Sequence, residues 1–164
     1  MEINQEQQPV QEKYPVFLKV VVIVGYIVLG LAMFGTVGGL MGQMPSDEIQ
    51  ALKESYVKLF ENFPQETKSM AIDIANLLEV SELNYIKTKT IPFFAFLVAY
   101  VGNLLIRRRK TVGMHLVFAS IIGAIVSSTS VFYNEPFGII YIISNHLLVL
   151  VYGVLVFFTR KHLS

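Results

Sequence analysis

The chain contains no cysteine and no tryptophan. The missing cysteine excludes disulfide frameworks, thiolate metal sites and thiol redox chemistry. Charge is scarce as well: 15% of the 164 residues are charged, where an ordinary soluble domain carries about 25%. What charge exists is balanced, with 13 basic against 12 acidic residues. Such a chain has no bulk field to attract a polyanion, so no nucleic-acid partner is expected. The deficit is concentrated in four long apolar runs, which excludes a soluble globular domain and a disordered chain.

A helix needs about 20 apolar residues to cross the hydrocarbon core, with a working range of about 17 to 25. Four runs qualify: 20–42, 90–106, 111–133 and 137–158. The second is short and carries Pro92 in its first turn, where a missing N–H is tolerated. The stretch Met70 to Leu78 is too short and contains Asp73. The first run exceeds the apolar core of a cleaved signal peptide and follows a polar tail, so it is read as a retained span. The bilayer is the first expected partner.

Lys and Arg near the span ends set the orientation. Arg107, Arg108, Arg109 and Lys110 fill the 107–110 connection, Arg160 and Lys161 lie in the tail 159–164, and Lys13 and Lys19 lie in the tail 1–19. The connection 134–136 has no basic residue, and segment 43–89 has eight acidic and five basic residues. Both termini and the basic turn are therefore expected in the cytoplasm, in an inner membrane.

Segment 43–89 reads as a pair of helices. Ser46 is placed to cap the first, with Asp47 and Glu48 at the positive end of its dipole. Ile49, Leu52, Tyr56, Leu59, Phe60 and Phe63 follow at helical spacing, and Pro64 stops the run. The second helix is expected from about Gln65 to Val80. So short a segment cannot bury its own core. Its apolar faces must pack on each other, on the bundle mouth or on a partner. Lipid-surface helices are usually rich in Lys and Arg, and here acids outnumber bases.

Span one holds six of the eleven glycines. Gly35 with Gly39, and Gly38 with Gly42, each form a G-x-x-x-G, which lets backbones approach closely in lipid. Span three has a ladder of Ala119, Gly123 and Ser127, with Ser120, Ala124 and Ser128 beside it. Packing within one bundle and a seam to a second chain or partner both fit that pattern.

Polar residues inside spans are costly and mark candidate sites. At about 1.5 Å per residue, Asn103 and His115 lie near the cytoplasmic ends, with Tyr26, Tyr100 and Tyr152 one turn deeper. A second layer, Asn145 and His146, meets the depth of Ser127 and Ser128, with Tyr141 on the face of Asn145 and Tyr152. Hydrogen bonding that fixes helix register and a small-molecule cleft are the two readings of these layers. Bis-histidine haem ligation is excluded, because His115 and His146 differ by about 14 Å in depth. No Asp or Glu lies inside a span, which counts against carboxylate-coupled transport and against small multidrug exporters. Ser144 and His146, two apart on a helix, point to different faces. With no nucleophile elbow, zinc motif or phosphate loop, neither an enzyme nor a cofactor is expected.

The lead-in Pro15-Val16-Phe17-Leu18-Lys19-Val20, the basic turn closed by Gly113, and Asn134-Glu135-Pro136-Phe137-Gly138 opening span four resemble a loose family. Its members are small four-span membrane proteins of Bacteroidota-type bacteria. The resemblance implies a bacterial inner-membrane location and brings no activity or site residues; segment 43–89 is longer and more helical than that family's. The expected fold is all-α, an antiparallel four-helix membrane bundle with an outer helical hairpin. The expected role is a structural or interaction subunit with a membrane-protein partner or second copy. A transport component is the alternative, followed by a membrane enzyme or cofactor carrier.

Overall fold

The structure, a computed structural model, describes residues 15–164. Lys13 and most of the expected 1–19 tail lie outside the described residues. The described chain is helical, with six α-helices: α1 (Val16–Thr36), α2 (Ser46–Leu59), α3 (Gln65–Leu83), α4 (Ile91–Arg107), α5 (Thr111–Phe132) and α6 (Gly138–Phe158). Four stretches are long and apolar enough to cross a membrane: Val16–Leu40, Ile86–Arg107, Thr111–Phe132 and Gly138–Phe158.

The first span ends differently from the expected single helix to Gly42. The α-helix stops at Thr36, whose hydroxyl donates back to the carbonyls of Ala32 (3.0 Å) and Met33 (3.1 Å). A 3₁₀ turn, Val37–Leu40, continues it. The cluster of glycines makes this stretch a poor α-helix. Gly42, at φ +94°, then turns the chain away through a conformation that side chains disfavour.

Pro45, not Ser46, occupies the N-cap of α2, and no side chain caps that end. Asp47 and Glu48 do sit in its first turn. The proline ring fixes the φ of this cap, and Ser46 becomes the first helical residue. In the same way α3 begins directly after Pro64. It runs past the expected end at Val80 to Leu83.

No loop separates α3 from α4. Asn84 bends the chain, and a π-helical turn, Ile86–Thr90, leads into Ile91. A π-turn misaligns backbone groups that then need other partners, and side chains supply them. The Thr88 hydroxyl donates to the Ser81 carbonyl at 2.8 Å, and the Ser127 hydroxyl donates to the Lys87 carbonyl at 2.6 Å. The Thr90 hydroxyl donates to the Gly39 carbonyl at 2.8 Å. These last two bonds tie the π-turn to α5 and to the 3₁₀ turn.

Helix α4 ends in a Schellman motif: Arg109 N–H donates to the Ile106 carbonyl (2.8 Å) and Lys110 N–H to the Leu105 carbonyl (2.9 Å). Arg109 takes the left-handed position, φ 58°, that glycine normally fills. The turn returns α5 along α4, and their backbones cross closely at Gly102 and Gly113. A Cβ on Gly113 would lie 2.4 Å from the Gly102 carbonyl oxygen. The tail closes on this turn, with Thr111 N–H donating to Ser164 O at 3.0 Å and Ser164 N–H to Arg109 O at 2.8 Å.

Helix α4 packs on α1 and α5, and α6 packs on α5 and α1. The shared core is apolar: Leu18, Leu29, Ala99, Ile106, Val117, Ala124, Val149 and Val156 are fully or nearly fully buried. Outward faces stay apolar and exposed, as at Ile27, Ile122, Leu148 and Val154. Lipid is the solvent that suits such a surface. Helix α2 packs on α3, pinned by a Lys53–Glu79 ion pair at 2.6 Å.

Candidate functional site

Two polar clusters lie within the spans. The one nearer the basic turn is built from α1, α4 and α6. Asn103, fully buried, donates its amide to the Val22 carbonyl at 2.9 Å. The Tyr152 hydroxyl, also fully buried, donates to Asn103 Oδ1 at 2.8 Å. The space for both is provided by Gly25, where a Cβ would stand 2.6 Å from Tyr152 Oη and 2.7 Å from either end of the Asn103 amide. Tyr26 and Tyr100 pack ring against ring at 5.3 Å. The buried Tyr26 hydroxyl has no hydrogen-bond partner among the described residues. His115, expected in this layer, is exposed on the outer face of α5 and does not join it.

The second cluster surrounds a cavity of about 230 Å³ near the α2–α3 end. Helices α1, α4, α5 and α6 wall it, with Ser81, Thr88 and Lys89 at its α3–π-turn side. Its exposed lining residues are Leu31 and Gly35 on α1 and Asn145 and Leu148 on α6. The cavity therefore opens sideways between those two helices. His146 is 94% buried, with its ring 6.3 Å from that of Phe96. Its Nδ1 lies 3.0 Å from the Ile142 carbonyl. A carbonyl only accepts, so Nδ1 carries the proton, and in the neutral ring Nε2 is left as an acceptor. Lys89 forms an ion pair with Glu82. Tyr141 lines the cavity and packs against Phe132 with ring centroids 4.7 Å apart and planes tilted by 56°.

The cavity thus gathers Gly35, Tyr141, Asn145 and His146 from the expected residues. Asn145 shares the depth of Ser127 and Ser128, and a bridge between them is what the register reading of that layer implies. Instead Ser127 serves the π-turn, and Asn145 is exposed at the cavity mouth. Matching depth brings the two helices level, but the π-turn takes the Ser127 hydroxyl for its own backbone.

The glycine pattern divides in the same way. Gly39 does make a close approach, with a Cβ there 2.6 Å from the backbone nitrogen of Thr90. Gly38 meets only the end of the Lys89 side chain at 3.9 Å. Gly35 and Gly123 have open space, and Ala119 is exposed, so these three make no tight contact within the chain. In the neighbouring ladder Ser120, Ala124 and Ser128 are buried. The tight glycines that motif reading missed are Gly25, Gly102, Gly113 and Gly138.

Among the described residues, no group of three or more His, Cys, Asp or Glu side chains could hold a metal ion. The four spans mark the chain as a multi-pass membrane protein. No protein-family model matches the chain, and no curated protein or solved structure does so either.

Proposed function

We propose that the chain is a non-enzymatic structural or interaction subunit of a membrane complex. In this reading it is an antiparallel four-helix bundle in a bacterial inner membrane, with α2 and α3 as an extracytoplasmic hairpin. Both termini are cytoplasmic. The four basic residues of the 107–110 turn support that orientation, and the family resemblance agrees with the location.

The observation that carries the interaction role is the apolar surface left on the hairpin. Leu52, Leu59 and Phe63, spaced seven and four apart on or just beyond α2, are all exposed, Leu59 at 71%. Met70 on α3 is exposed too. A segment outside the bilayer keeps such a row uncovered only at a cost in solubility, and a partner protein or second copy removes that cost. Ala119 and Gly123 offer a small-residue surface on α5 for a second helix within the membrane.

The test is a photo-crosslinking residue at Leu59 or Phe63 in native membranes. The reading expects one discrete protein adduct that Leu52→Glu abolishes. Lipid adducts alone, from a protein that purifies as a monomer in mild detergent, would overturn it. A second reading, a transport component, rests on the cavity beside His146. Solute flux in liposomes that Asn145→Leu abolishes would put it first.

A further inference from the structure

The cavity beside His146 has a chemistry that the interaction role does not use. It lies about 12 Å along α6 from that helix's start, on the helix rise. Its mouth is on the side, between Leu31 and Gly35 of α1 and Asn145 and Leu148 of α6. A molecule entering there comes from the lipid, so it must be lipid-soluble. Val28, Leu31, Leu148 and Val149 give it an apolar wall.

The head-group end is electrically neutral. Lys89 is the lining residue with a full charge, and Glu82 already pairs with it. A fatty-acid carboxylate finds no uncompensated cation, and an amine finds no uncompensated carboxylate. What the site presents is an acceptor: His146 is 94% buried, its Nδ1–H is committed to Ile142, and no protein donor meets Nε2. The Ser128 side chain also lines the space. Nε2 is not among the fully enclosed unpaired atoms, so it is open to an entering molecule, and in an apolar setting the neutral group that pairs with an acceptor is a hydroxyl.

We infer that this cleft binds a neutral, hydroxyl-headed amphiphile from the bilayer. Its O–H donates to His146 Nε2, and its chain lies between α1 and α6 along Leu31 and Leu148. The inference stands apart from the proposed interaction role, since it uses no part of the α2 surface.

The test uses the full chain in phospholipid vesicles with three photoreactive probes of one chain length. Each carries a diazirine near the head group: an octadecanol, its methyl ether and the matching carboxylic acid. The alcohol is expected to label peptides of α1 and α6, and unlabelled octadecanol should compete. Labelling by the ether and by the acid should be about 5- to 10-fold weaker, the fold-change of one lost hydrogen bond. His146→Phe should weaken alcohol labelling to the level of the ether. Because His146→Phe also alters the core, Gly35→Phe is the second variant: a Cβ at Gly35 meets open space, and the ring blocks the mouth. It should remove the α1–α6 adduct with the fold intact. Equal labelling by alcohol and ether, or adducts spread evenly over all lipid-facing helices, would overturn the inference. Preferential labelling by the acid would do so as well.

Discussion

The hydroxyl of Tyr152 donates to the side-chain oxygen of Asn103 at 2.8 Å, while the Asn103 amide donates to the carbonyl of Val22. One side chain of α4 is thereby tied to α6 and to α1. Each bond satisfies a group for which lipid offers no substitute. Measured interhelical bonds of this kind average about 0.6 kcal/mol and reach about 1.7 kcal/mol.

Removing the Tyr152 hydroxyl should therefore cost more than that average, because it strands a buried oxygen. Tyr152→Phe is expected to destabilise the protein by about 1 kcal/mol. Tyr26 offers a control in the same layer, as its buried hydroxyl has no partner among the described residues. Tyr26→Phe should be neutral or stabilising. Denaturant titration of both variants in mixed micelles checks the pair, and equal losses would contradict the assignment.

Glycine tolerance should follow space and not motif. Gly25→Ala puts a Cβ 2.6 to 2.7 Å from the Asn103–Tyr152 pair, whereas at Gly35 the Cβ meets nothing within 4 Å. Overpacking of this kind costs about 1 to 3 kcal/mol. Gly25→Ala should lower yield and unfolding midpoint, and Gly35→Ala should change neither by itself. The reverse order would mean that Gly35 is covered by another helix in the assembled state.

The basic turn allows a stabilising change. Arg109 holds a left-handed conformation inside a Schellman motif, which costs a side-chain-bearing residue about 1 kcal/mol relative to glycine. Arg109→Gly should raise the unfolding midpoint. With Arg107, Arg108 and Lys110 still in place, it should leave the orientation unchanged.

The four spans were legible because hydropathy over some twenty residues averages out local detail, and the observed helices α4, α5 and α6 start within one residue of the expected bounds. Local geometry was less so. Neither the 3₁₀ turn at Val37 nor the π-turn at Ile86 leaves a periodic signal, since each exists to satisfy contacts across the chain. Gly39 against Thr90 is one such contact, and the Ser127 hydroxyl on the Lys87 carbonyl is another. Depth arithmetic found the partners Asn103 and Tyr152 as members of one layer. It misplaced His115, because depth carries no information about which way a side chain faces. The cavity needed Lys89 and Ser81, which a reading confined to the spans leaves out.

The proposed interaction role rests on which side of the membrane α2 and α3 occupy. The absence of native cysteine makes the decisive measurement clean. Single cysteines at Ser46 and Ser69, both exposed, and at Thr111 are labelled with a membrane-impermeant thiol reagent in intact cells. The account predicts that Ser46→Cys and Ser69→Cys react at once and that Thr111→Cys reacts only after permeabilisation. Labelling of Thr111→Cys in intact cells, with the other two protected, would contradict it.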